Sequence, residues 1–80
     1  MEKSEKSEKH YRRLCKLVTR ARKAKKLTQK DLAERLGHTQ SYIAKLERGL
    51  RPVITLLQYL RMAEIVGFDP ARLIRRATKD

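Results

Sequence analysis

From residue 10 onward, apolar and polar positions recur with the period of a helix. Tyr11, Leu14, Leu17, Val18 and Ala21 fall on one stripe, while Arg12, Arg13, Lys16, Arg20 and Lys23 fall on the opposite, solvated side. "LTQKDLAERLG" predicts a second helix with both ends marked. Thr28 is its N-cap, Asp31 holds the capping-box position, Leu27 staples onto Leu32, and Gly37 is the left-handed stop. "HTQSYIAKLERG" repeats the scheme, with Thr39 as cap, Ile43 and Leu46 turned inward, and Gly49 at the end. A fourth helix, "ITLLQYLRMAEIVG", opens with a full capping box in Thr55 and Gln58, staples Ile54 onto Tyr59 and stops at Gly67. "DPARLIRRA" supplies a fifth, capped by Asp69 with Pro70 at the first helical position. With no strand signal in between, the pattern predicts an all-α domain of five helices joined by short connections.

Two features frame this domain. Residues 1–9, "MEKSEKSEK", hold no apolar residue after Met1, so they read as a charged arm, disordered or forming frayed turns that lead into the first helix. Residues 10–80 form the single domain that 80 residues allow, with a core that only just offsets chain entropy and no room for a ligand domain. No apolar run is long enough to cross a bilayer, and the Lys–Glu alternation at the N-terminus excludes a secretory signal. The single cysteine, Cys15, forms no intrachain disulfide and fits a reducing cytoplasm. Cys15, His10 and His38 lack metal-ligand spacing and read as packing or surface residues, so neither a metal nor a cofactor is expected. An enzyme is equally unsupported. Lys16 beside Cys15 could lower the thiol pKa, but no catalytic partner accompanies it.

Charge narrows the class of partner. The chain carries 21 Lys and Arg against 9 Asp and Glu, a net charge of +12, and no acidic residue occurs between Lys9 and Lys30. Phosphates are the abundant intracellular polyanion, so a small basic domain of this kind points to nucleic acid. A membrane surface met by the amphipathic first helix is the rival reading, and a merely soluble basic surface the neutral one.

The third helix sharpens this. At about 100° per residue, Ile43 and Leu46 define its buried side. Gln40, Ser41, Ala44, Lys45 and Arg48 spread over the opposite side, with Tyr42 on the border near Leu46. Amide, hydroxyl and ammonium groups thus surround a small alanine that permits close approach. Glutamine can bond adenine bidentately and lysine can donate to guanine, both at base edges in the major groove. An ordinary solvated face would have a similar composition, so this helix alone does not decide.

The surrounding frame adds weight. From Leu27 to Gly49, "LTQKDLAERLGHTQSYIAKLERG" resembles the helix-turn-helix of the Xre and Cro/C1-type regulators, the lambdoid phage repressor family. "LTQ" opens the first helix of the motif, "LAERLG" places small Ala33 where two helices pack closely, and "I..LE.G" closes the second. "LLQYLRMAEIVGFDP" continues the likeness into the fourth helix and the start of the fifth. The resemblance implies a compact five-helix fold, with the helix-turn-helix at about residues 28–48 and the third helix lying in the major groove of double-stranded DNA. Carried over by position, Gln40, Ser41 and Lys45 would read bases. Tyr42 would either pack on a thymine methyl or sugar or shield Leu46. Gln29 would hydrogen-bond a phosphate through side chain or backbone; Arg48 and Arg51 would meet the DNA backbone, and Thr28, Lys30 and Thr39 are further phosphate candidates beside their capping or solvated roles. Glu47 lies toward the core, where an unpaired carboxylate is costly. The family pairs it with an arginine from the first helix, which here is Arg22.

The fourth helix is more apolar than one stripe requires. Leu56, Tyr59, Met62, Ala63 and Val66 suffice for the core, leaving Leu57, Leu60 and Ile65 as surplus, either a partner surface or in part core that helix 5 covers, with Phe68 just beyond. Family members dimerise to set two reading helices about 34 Å apart on successive major grooves. A homodimer through helix 4, helix 5 or their connecting loop is therefore expected, with Leu57, Leu60, Ile65 and Phe68 as interface candidates. The leading expectation is a cytoplasmic, sequence-specific regulator of transcription, a repressor in the first instance, that acts by occupancy without a small-molecule ligand or a membrane. Phage repressor, antitoxin and restriction-modification controller are not separated by the sequence. The alternative is a protein-interaction module, an antitoxin or adaptor whose apolar helix 4 face binds a partner. Against a dedicated antitoxin, "RATKD" is short for a segment that wraps a target.

Overall fold

Twenty consecutive positions without glycine or proline form α1, Glu5–Ala24, in a computed structural model that describes residues 5–79. Glu5 and Glu8 sit at its positive end, and Arg22 and Lys23 at its negative end, both favourable to the helix dipole. The helix thus takes in residues 5–9 of the arm, while residues 1–4 lie outside the described part. It stops where Lys26 turns left-handed at φ 58°, which lets the Leu27 N–H reach the Arg22 carbonyl at 3.2 Å. No glycine marks that stop in the sequence.

The remaining helices begin at capping side chains. α2 is Gln29–Leu36; Thr28 accepts from the Asp31 N–H while Asp31 accepts from the Thr28 N–H, so both arms of the capping box are closed. α3 is Gln40–Glu47, capped by Thr39, and only Gly37, His38 and Thr39 separate it from α2. α4 is Leu56–Val66 and α5 is Pro70–Thr78, the latter capped by the Asp69 carboxylate on the Ala71 and Arg72 N–H groups. No strand occurs among the described residues.

All five helices feed one core. Leu17 and Val18 of α1, Leu32, Ala33 and Leu36 of α2, Ile43 and Leu46 of α3, Tyr59, Met62 and Val66 of α4, and Leu73 and Ala77 of α5 are buried together. Polar ties fix the ends. Tyr11 Oη accepts from the Ile54 N–H at 3.1 Å, holding the α3–α4 loop to α1, and Tyr59 Oη donates to the Pro70 carbonyl at 2.7 Å.

Four sequence expectations need correction. Leu56, counted with the core, is 70% exposed, because Ile54 just ahead of the cap takes the place against the core. Ile65 and Phe68, counted as interface surplus, are half-buried against the core, and the Phe68 ring packs on Tyr59 with centroids 5.7 Å apart. Arg13 does not stay on the solvated side: its guanidinium donates to the Ala77 and Lys79 carbonyls at 3.0 and 2.8 Å, capping the end of α5. The fourth-helix capping box is one-sided. Thr55 accepts from the Gln58 N–H, but the Gln58 amide turns to His38. Among the described residues no helix is long and apolar enough to cross a membrane.

Candidate nucleic-acid interface

α3 is a two-faced helix on a fixed mount. Ile43, Leu46 and Glu47 are buried beneath it, and Gln40, Ser41 and Lys45 are exposed above, with Ala44 and Tyr42 half-buried at the edges. No acidic residue occupies its first turn, so the positive end of the helix dipole is unopposed. Thr28 and Lys30 at the start of α2, Thr39 in the turn, and Arg48 and Arg51 after α3 are exposed around this face.

The mount is ionic. Arg22 Nε lies 2.6 Å from Glu47 Oε2, and its Nη2 donates to Oε1 at 3.0 Å, a two-pronged pair with the two residues only 6% and 8% exposed. The same guanidinium donates from Nη1 to the Leu27 carbonyl at 2.6 Å, and the Gln29 amide donates to Glu47 Oε1 at 3.0 Å. One carboxylate therefore holds together α1, the approach to α2 and the last turn of α3. This changes the role of Gln29. Its side-chain amide serves Glu47, and what it can offer a phosphate is its backbone N–H at the first turn of α2.

His38 is not the plain turn residue its exposure suggests. Its ring stacks on Tyr42 with centroids 4.1 Å apart and planes 19° from parallel, and its Nε2 meets the Gln58 amide nitrogen. The sequence carried one signal for this. His38 precedes an N-cap, the place where a staple residue is expected. Cys15 is buried, and desolvation pushes its thiol pKa up despite a hydrogen bond from Tyr11 that works the other way. The lowering that Lys16 could bring is overruled by burial.

A short polar helix, held by a buried ion pair behind a capped three-residue turn, is the geometry with which helix-turn-helix proteins approach the major groove. The sequence model of the helix-turn-helix family matches residues 18–73. The chain belongs to the Cro/C1-type helix-turn-helix family. As in that family, it is a DNA-binding domain whose motif is α2, the turn and α3. A search of curated proteins finds no match to the chain.

Proposed function

We propose that this chain is a sequence-specific transcriptional regulator, a repressor acting by occupancy, that binds two operator half-sites as a homodimer. The observation that carries the proposal is the exposed face of α3. Gln40, Ser41 and Lys45 stand around half-buried Ala44, at the unopposed positive end of a helix whose underside is locked to α1. In this reading Gln40, Ser41 and Lys45 meet base edges and Tyr42 adds to them. The N–H groups at the start of α2, Thr28, Lys30, Thr39, Arg48 and Arg51 meet phosphates.

The dimer is supported by an apolar patch. Leu57 and Leu60 on α4 are 58% and 45% exposed, Leu56 beside them more so, and Leu50 and Val53 of the preceding loop are also exposed. The same patch favours the second reading, an adaptor that binds another protein there.

Selection of binding sites from random duplex DNA, paired with sedimentation of the free protein, tests both. A palindrome with half-sites about one helical turn apart, and a dimer that Leu57→Glu with Leu60→Glu dissociates, are the expected results. Unpatterned sites bound by a monomer would leave the adaptor reading in possession.

A further inference from the structure

Four helices of this fold begin at a capping side chain, and the residue just before each cap is Leu27, His38, Ile54 or Phe68. Leu27, Ile54 and Phe68 are half-buried and packed against the core, as staples are. His38, which opens α3, is exposed, and its partner is not the buried Ile43 but the Tyr42 ring. At this one helix start the staple has moved from the core to the surface.

The ring is also held from behind. The Gln58 amide nitrogen meets His38 Nε2, on the ring that stacks against Tyr42. Gln58 gives up the return arm of its own capping box to do this, and its carbonyl oxygen is buried with no hydrogen-bond partner. A helix start built for stability alone would have kept that arm and placed an apolar residue at 38. From these observations we infer that His38 is a positioning residue for DNA reading: braced by Gln58, it holds the Tyr42 ring in the orientation in which it adds to the Gln40 and Ser41 surface.

The inference rests on the proposal that α3 reads bases. It makes Tyr42 a specificity residue and not merely a cover for Leu46. Helical side chains lean toward the N-terminus, so Tyr42 lies back over the turn, where His38 forms a wall for one face of its ring. Without that wall one face of the ring loses its neighbour, and only the packing of its half-buried side against the core remains to orient it.

The test uses the full chain in two steps. In the free protein, His38→Ala should shift the Tyr42 ring-proton resonances by removing the stacked ring, and His38→Phe should restore a stacked environment. Unmoved resonances would overturn the inference before any DNA is added. In site selection, Tyr42→Ala and His38→Ala should relax the same base positions, and Gln58→Met should relax them in part. His38→Phe should recover them, while positions dependent on Gln40 and Lys45 stay selective throughout.

The His38 and Gln58 substitutions spare the core, whereas Tyr42→Ala removes a half-buried ring and is read only by which base positions relax. His38 is exposed, and Gln58→Met removes an oxygen that has no partner. His38→Ala that weakens all sequences equally, or leaves the Tyr42-dependent positions selective, would overturn the assignment. Wild-type protein that selects no motif overturns base reading by α3 itself, a result seen before any variant is compared.

Discussion

Arg22 and Glu47 are nearly covered, yet each of their charged groups has a partner, and this decides what their removal does. Arg22→Ala strands a buried carboxylate and should cost about 3–5 kcal/mol in urea unfolding. Arg22→Met combined with Glu47→Leu strands nothing and should recover most of that loss, though α3 would then sit less firmly against α2. Two tyrosines give a separate signature. Burial, the largest influence on each, pushes Tyr11 and Tyr59 up to about 12; the Ile54 N–H bond opposes it at Tyr11, and the charge of Asp69 adds to it at Tyr59. Both stay protonated in the fold above the unfolded phenol value of about 10. Their contribution to stability is therefore intact below pH 10 and lost as pH rises toward 12. Phenolate absorbance in an alkaline titration should show these two ionising late and together with unfolding; two ordinary titrations near pH 10 would contradict their buried placement.

At the scale of elements, the two glycines that bracket α3 differ in a way only the structure reveals. Gly37 and Gly49 have φ of 74° and 72°. A Cβ on Gly37 meets nothing within 4 Å, whereas one on Gly49 meets Arg12 Cγ at 3.1 Å. Gly37→Ala should cost only the left-handed strain, about 1–2 kcal/mol, and Gly49→Ala should exceed it because α1 must also give way; thermal melts would rank them. Much at this scale was legible in the sequence. Thr28, Thr39, Thr55 and Asp69 are caps and Gly37 and Gly67 are stops, while the meeting of Arg22 with Glu47 was legible only through the family resemblance. What was not legible depends on partners distant in the chain. Arg13 reaches α5 across 64 residues, Gln58 reaches His38 across 20, and Gln29 reaches Glu47 across 18. Helical periodicity carries no signal of such ties, and a lysine in a left-handed position leaves no mark that distinguishes it from any other lysine.

Across the whole molecule, the +12 charge is spread beyond the α3 face. Lys16, Arg20 and Lys23 on α1 and Arg72, Arg75 and Arg76 on α5 are exposed, and α5 packs on α1 and α4. Charge of this kind attracts any duplex and is screened by salt, whereas base reading depends on side chains at one helix end. The two contributions are separable by comparing affinity for a selected duplex with affinity for an unrelated one, for wild-type protein and for Gln40→Ala with Lys45→Ala, over a range of salt. The double variant should lose about 10- to 100-fold at the selected duplex, while its binding to the unrelated duplex, and the salt dependence of that binding, change far less. Equal losses on both duplexes, or an unchanged ratio between them, would mean that α3 contributes charge alone and that its polar face is not what reads DNA.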